Sequence, residues 1–466
     1  MRAVPAGAEA AFARRLDAAN PGPLALALSG GGDSVALLRL ATAWCARKGR
    51  PLLALTVDHR LHPDSARWTA FAGEAARAAG AEWRSLAWEG PKPAAGLPAA
   101  ARAARHRLLA EAARRAGAGV LLTGHTADDA IEGELMRGGD APGLGRLREW
   151  TPSPVWPEGR GLFLLRPLLA LRRSALRAWL AAQGESWLED PANEDLRYAR
   201  ARARAALAGS SAPGRAGPDE AGRSELQGGL GPDPALGDRP SPRSEERRPS
   251  ATGDGRIVLR RRGLDGRTLA AALLCAAGTS RPPRGGALER LRNRCAGGDR
   301  VEATLAGARV VADDAWVQIG REAGERFRGG LAPLALTAGE PLVWDGRFEI
   351  VADRPGWTAA PLAGAVGRLG REDLRALRAI PAWARGALPA LSDASGAVRL
   401  PRPFGAGPAA AVSLAAERFA AACGLMARET EIGVSHHGAQ DLATLCSCAS
   451  GTGFAGADLQ HAQGRR

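Results

Sequence analysis

Residues Ser29-Gly30-Gly31-Gly32-Asp33-Ser34 stand between the apolar run Leu24 to Leu28 and a segment, Val35 to Lys48, whose apolar residues recur at helical spacing. This placement constrains the fold more than any other feature of the chain. Glycines let a backbone turn tightly at the end of a strand and approach an anion closely. The free N–H groups and positive end of the helix that follows then face phosphate oxygens. Ser29 and Ser34 add hydroxyl donors, and Asp33 offers a carboxylate for a Mg2+ ion carried on the phosphates. No Gly-Lys-Ser/Thr ending follows, so the loop is not a Walker A loop.

The surrounding pattern fits such a turn. Short apolar runs predict strands at residues 24–28, 52–57, 83–88, 120–123 and 162–165. Between them lie segments of helical length and spacing at residues 35–48, 64–79, 99–116, 127–137 and 173–183. Strand and helix in alternation predict an α/β fold with a doubly wound, mainly parallel sheet over residues 1–208. From 209 to 255 the chain is Gly, Pro, Ser and mixed charge, which cannot bury enough apolar surface to offset chain entropy, and a disordered linker is expected. Patterning returns over 256–428, with a helix at 267–277 and a strand pair in VEATLAG and ARVVADDAWVQI, predicting a smaller C-terminal α+β region. Residues 429–466 read as an irregular tail whose His436, His437, Cys446 and Cys448 make a weak metal pattern.

Charge narrows the partners. The 63 Lys+Arg against 49 Asp+Glu leave a net charge of +14, which favours a polyanion such as nucleic acid or an acidic membrane surface without choosing between them, although an Arg-rich composition on solvated faces accounts for part of it. The six cysteines form no CxxC pair, which argues against a disulfide framework or zinc module, and residues 1–20 lack a long apolar core, so a membrane anchor is not expected. A cytoplasmic protein is the expectation.

Three further segments carry candidate site residues, the first of them at the carboxyl end of a strand, where doubly wound folds place ligands. The second strand ends in Asp58 and His59, within Val57-Asp58-His59-Arg60-Leu61-His62-Pro63-Asp64-Ser65. Arg102 and Arg105 lie three apart on one helix face, suited to phosphate or to RNA. After the strand at 120–123 comes Gly124-His125-Thr126-Ala127-Asp128-Asp129-Ala130-Ile131-Glu132, where His125, Asp129 and Glu132 are spaced to share one helix face; such carboxylates can bind a metal ion or an ammonium group, or simply cap the helix. A basic run follows at Arg197, Arg200, Arg202 and Arg204.

Taken together these motifs resemble those of the tRNA(Ile)-lysidine synthetase family of N-type PP-loop ATPases: SGGxDS, VDHxLRxxS, ARxxRY, GHxxDDxxET, and the closing RPLL, DPSN and FxRNRxR. This chain departs with His62, His106, Gly133 and Ala201 at motif positions usually held by Arg, an aromatic, Thr and Asn. The resemblance implies ATP and Mg2+ as cofactors, with Ser29, Gly30, Gly31, Gly32, Asp33, Ser34, Asp58 and His59 on ATP and Asp33 on the metal. It implies Asp33, Arg105, His125, Asp129 and Glu132 as catalytic residues, and Arg102, Arg105, Arg200 and Arg204 toward tRNA. The implied reaction joins free L-lysine to C2 of the wobble cytidine of tRNA(Ile) bearing a CAU anticodon, through an adenylated cytidine, so that AUA is read in place of AUG. No membrane partner is implied, and a homodimer is left open. A tRNA thiolation enzyme with the same loop, or a noncatalytic RNA-binding protein that kept the fold, stay as rival readings. The first would want reactive cysteines near the site, and Cys45 alone does not supply them.

Overall fold

A computed structural model describes residues 3–137, 147–189, 250–280, 283 and 285–432. Arg197, Arg200, Arg202, Arg204, most of the expected linker and the His/Cys tail fall outside these residues. The described residues divide into two compact units: one takes those up to Gly320 together with 415–432, the other takes Arg321–Leu414.

The first unit opens with a helix the sequence pattern did not single out, α1 (Ala3–Arg15), and then alternates β1 (Leu24–Ala27), α2 (Gly32–Lys48), β2 (Leu52–Asp58), α3 (Ser65–Ala78), β3 (Glu82–Ala87), α4 (Leu97–Arg115), β4 (Val120–Leu122), α5 (Ala127–Arg137), β5 (Trp150–Pro152), β6 (Phe163–Leu165) and α6 (Arg173–Ala181). The strands form one sheet in the order β3-β2-β1-β4-β6-β5, parallel except for β5, which runs antiparallel to β6. β5 is an edge strand of three residues ending in Pro152, a length and composition too slight to be read as a strand in advance.

Alternating side chains explain the layers. Leu24, Leu26 and Leu28 enter a core shared with Phe12 of α1, Val35 and Leu38 of α2, Ala72 of α3 and Leu176 of α6. Ala25, Leu53, Leu55, Leu121 and Leu164 point the other way, onto Leu109, Ala110 and Ala113 of α4. Helices thus cover both faces, as a parallel sheet requires, and each fully buried Leu stabilises the fold by roughly 1.5–3 kcal/mol. The chain order runs outward from β1 to β3 and then crosses back to β4. That reversal opens a crevice at the carboxyl ends of β1 and β4, the switch point where open α/β sheets receive ligands.

The rest of this unit is an antiparallel five-stranded sheet, Ser250–Ala251, Ile257–Arg260, Trp316–Arg321, Ala308–Ala312 and Val301–Leu305 in spatial order. Ser250–Ala251 falls in the stretch read as linker, where it pairs with Val258 and Ile257. The helix Gly266–Ala276 packs on this sheet through Leu269, Ala272 and Leu273, joined by Phe419 of the helix Ala415–Cys423. The second unit holds a four-stranded and a three-stranded antiparallel sheet around Trp344, Phe348, Leu391 and Leu400. The chain is therefore a mainly parallel α/β domain followed by an antiparallel, β-rich C-terminal region. Among the described residues no helix is long and apolar enough to cross a membrane.

Candidate active site

The loop after β1 turns at Gly30, whose φ of +87° only glycine adopts at little cost; a Cβ there would also lie 2.8 Å from Leu188 Cδ1. Gly31 is extended and caps α2, which begins at Gly32, three residues earlier than the periodicity suggests. The Ser34 hydroxyl donates to the Gly31 carbonyl at 2.8 Å and lies 3.1 Å from the Ser29 hydroxyl. Both serines, expected to aim at phosphate, here brace the turn. A strap not anticipated from the sequence lies across this loop. Leu188 donates its N–H to the Gly30 carbonyl at 2.9 Å, and the Trp187 ring sits against Gly32.

The loop after β4 meets it across the crevice. A Cβ on Gly124 would stand 3.1 Å from the Asp33 carbonyl carbon and oxygen, so the absence of a side chain at Gly124 is what lets the two loops touch. The next residues differ from the expected geometry in one respect. α5 starts at Ala127, so His125 lies in the turn before the helix and does not share the helical face of Asp129 and Glu132. Its Nδ1 is 3.0 Å from the Thr123 hydroxyl. Asp129 Oδ2 accepts the Thr126 N–H at 2.9 Å and its hydroxyl at 3.0 Å, closing the first turn of α5, while Oδ1 faces away toward the crevice.

Asp33, Asp129 and Glu132 converge on one guanidinium. Arg173 donates from Nε to Asp33 Oδ2 at 3.0 Å and from Nη1 to Glu132 Oε1 at 3.3 Å, and its Nη2 is 3.4 Å from Asp129 Oδ1. Sequence reasoning treated Arg173 only as the start of a helix. Its place is set by Asp128, whose carboxylate accepts the Arg173 backbone N–H at 2.7 Å and pairs with Arg172 at 3.0 Å, and by the Ala127 N–H bonded to the Leu171 carbonyl at 3.0 Å. In a chain this rich in Arg, nothing local separates Arg173 from its neighbours; the signal is the distance in sequence, 140 residues, between it and Asp33.

Electrostatics differ from group to group. Burial raises the Asp33 carboxyl above its ordinary value despite the opposing hydrogen bond from Arg173. For Asp129 burial pushes the same way, but the Thr126 N–H and the Arg173 charge outweigh it and hold the carboxyl below the usual range. Burial, reinforced by Arg166 and only partly offset by Asp129, lowers His125 to about 3, so its imidazole is neutral at pH 7. His106 is likewise lowered to about 3 by burial and then by Arg105 and Arg102. His59, edge-on to Trp88 at the end of β2, is lowered by burial and by Arg105. Asp58 accepts the Arg60 N–H at 2.8 Å and so shapes the turn that carries His59. Arg102 is exposed and Arg105 half-buried on α4, close enough for their charges to bear on His125.

Asp33 Oδ1 is buried and makes no hydrogen bond among the described residues. It leaves one hard oxygen donor beside the anion-binding loop, which suits Mg2+, an ion commonly held by one or two carboxylates plus phosphate oxygens. No group of three His, Cys, Asp or Glu side chains fit to hold a metal unaided occurs among the described residues.

A glycine-rich turn after β1 and an acidic helix after β4, flanking the switch point of a parallel sheet, are the features of a PP-loop domain, and a family model described as a PP-loop domain matches residues 8–210. The chain is 48% identical over 427 residues to the tRNA(Ile)-lysidine synthase of Caulobacter vibrioides, covering 90% of this chain and 98% of that one. Over shorter spans it is 45% identical to the tRNA(Ile)-lysidine synthase of Hyphomonas neptunium, covering 43% of this chain and 54% of the relative, and 46% identical to that of a Bradyrhizobium strain, covering 44% and 58%. The chain belongs to the tRNA(Ile)-lysidine synthase family.

Proposed function

We propose that this protein ligates free L-lysine to C2 of the wobble cytidine of tRNA(Ile) bearing a CAU anticodon, using ATP to activate the cytidine. The observation that supports the reading is the meeting of Asp33, Asp129 and Glu132 at Arg173, a cluster that would let one site serve both phosphate and amine. The cytidine O2 attacks the α-phosphorus of ATP and displaces pyrophosphate. The lysine ε-nitrogen then attacks C2, the C2–O2 bond breaks, AMP leaves with that oxygen, and the nitrogen gives up its protons to solvent or to a neighbouring base.

The chain's own groups divide these tasks. The N–H groups of the Ser29–Ser34 loop and the start of α2 receive the pyrophosphate oxygens, with Asp58 and His59 beside the nucleotide. Asp33 Oδ1 would hold Mg2+, which, when bound, neutralises charge on the phosphates. Arg105 and Arg102 add fixed positive charge on α4, where charge develops on the departing pyrophosphate. The ionised Asp129 and the buried Glu132 receive the ε-ammonium group of lysine. The neutral His125, held by the Thr123 hydroxyl, adds no competing cation beside them. Arg200 and Arg204, outside the described residues, and the C-terminal region are assigned to tRNA.

This assignment extends to a cytoplasmic enzyme active as a monomer or a homodimer, which sedimentation of the purified chain distinguishes. The decisive test is incorporation of labelled lysine into tRNA(Ile) with a CAU anticodon. Incorporation that needs ATP and releases AMP is expected; ATP-dependent transfer of sulfur, or RNA binding without AMP release, would replace this reading with one of its rivals.

A further inference from the structure

Three carboxylates at the site share one cation, and the contacts are unequal. The Arg173 to Asp33 bond, at 3.0 Å, is the tightest of the three, and the two to Glu132 and Asp129, at 3.3 and 3.4 Å, are longer than good charge-assisted bonds. The guanidinium edge presented to Asp129 and Glu132 offers N–H donors and one positive charge, the same chemistry as a primary ammonium. Asp128 and the stitched starts of α5 and α6 hold the Arg173 backbone from behind. Its side chain therefore has a fixed root and a head held only by the three carboxylates.

We infer that Arg173 is a resident stand-in for the ammonium group of lysine: it keeps Asp129 and Glu132 turned into the crevice before substrate arrives, then cedes those two carboxylates while keeping Asp33. This rests on the lysine-binding role proposed above for Asp129 and Glu132. Without a cation, two buried carboxylates three residues apart on one helix would repel each other, and one would turn away or take up a proton. With Arg173 present, the pair stays ordered, and lysine exchanges with a cation already there instead of entering an unformed pocket. The stronger bond to Asp33 makes the exchange directional, since the head retreats toward the nucleotide side. Arg173 is thus a positioning residue that links occupancy of the amine subsite to the carboxylate beside ATP.

The prediction splits KM from kcat. In Arg173→Gln the competing charge is gone, and because the ammonium of bound lysine can itself order the carboxylate pair, the lost competition outweighs the lost ordering and the lysine KM falls by roughly fivefold, the size expected on losing one charge-assisted competitor. kcat falls by on the order of tenfold because Asp33 loses its orienting partner. In Arg173→Ala, guanidinium chloride below denaturing concentration, matched against KCl, competes with lysine and restores part of kcat; the wild-type enzyme shows neither effect. Arg173→Lys, which keeps the charge on a shorter single head, shifts the lysine KM in the same direction by less, and serves if the neutral variants fail to fold. An unchanged or raised lysine KM in the folded variants overturns the inference. Asp129→Asn is the control for the reading beneath it: if it raises the lysine KM while Arg173→Gln does not lower it, only the stand-in role fails. If Asp129→Asn leaves the lysine KM alone, the amine subsite itself is misplaced and the inference falls with it.

Discussion

Arg50 and Glu429, 379 positions apart, meet in a two-pronged pair, Nη1 to Oε2 at 2.7 Å and Nη2 to Oε1 at 2.5 Å, with both side chains almost wholly removed from solvent. The remaining valences are also met. The Asp17 N–H and the Asn20 amide donate to the same carboxylate at 2.9 and 3.0 Å, and Arg50 Nε donates to the Gly22 carbonyl at 2.9 Å. Removing one partner leaves the other charge buried and alone. Glu429→Gln is expected to destabilise the unit by about 3–5 kcal/mol, and the double change Arg50→Met, Glu429→Met to recover most of that loss. Urea unfolding of the single and double variants measures both.

Gly124→Ala tests the contact between the two ligand loops. The added methyl would lie 3.1 Å from the Asp33 carbonyl and 3.2 Å from the Ser34 nitrogen, backbone atoms that cannot swing aside. A stability loss of ~1–3 kcal/mol is expected from overpacking. With Asp33 displaced, kcat/KM for ATP should drop by about tenfold or more. Gly253→Ala, where a methyl meets nothing within 4 Å and the φ is not positive, should change neither quantity.

Acid sensitivity follows from His106, buried, with an Nε2 that finds no hydrogen-bond partner among the described residues. Its pKa falls from an ordinary 6.5 to about 3 on folding, so below pH 6.5 the unfolded chain takes up a proton that the folded chain refuses. Stability is therefore lost as pH drops from 6.5 toward about 3, at a slope near 1.4 kcal/mol per pH unit, and is unaffected above that window. His125 acts in the same sense. His106→Phe should leave the pH dependence above 6.5 unchanged and flatten it below, as urea midpoints at pH 7.5 and pH 5 will show.

Asp33→Ala and Glu132→Ala should fail differently. The first removes the metal-facing oxygen and is expected to abolish AMP release at any lysine concentration. The second should raise the lysine KM by on the order of tenfold or more while ATP dependence stays close to wild type. Steady-state AMP release titrated separately with ATP and lysine separates the two; equal effects on both titrations would contradict the division of the site.

Much of this architecture is written in local pattern. The five parallel strands and the helices between them follow from apolar runs and 3.6-residue spacing, and Asp33, Asp129 and Glu132 stand out because they follow closely on the carboxyl ends of β1 and β4, although Asp129 also closes the first turn of α5. What local pattern omits is any feature that depends on a distant partner. Arg173 is one Arg among many until Asp33 is beside it. Trp187 and Leu188 look like ordinary apolar residues until they lie on Gly32 and Gly30. A 3.6-residue periodicity does not show where α5 begins, and His125 falls two residues before that start. Glu429, read as the start of an irregular tail, is fixed by a residue at the other end of the sequence.

The return of the chain after Leu414 has a bearing on how the gene tolerates damage. Phe419 completes the core beneath the helix Gly266–Ala276, and Ala421 and Ile432 finish the one that backs the nucleotide loop. A premature stop just before Ala415 would spare Arg321–Leu414 yet open the interior of the unit that holds the parallel sheet. Translation must therefore pass Ile432 before the ATP-binding half, synthesised first, has all of its interior.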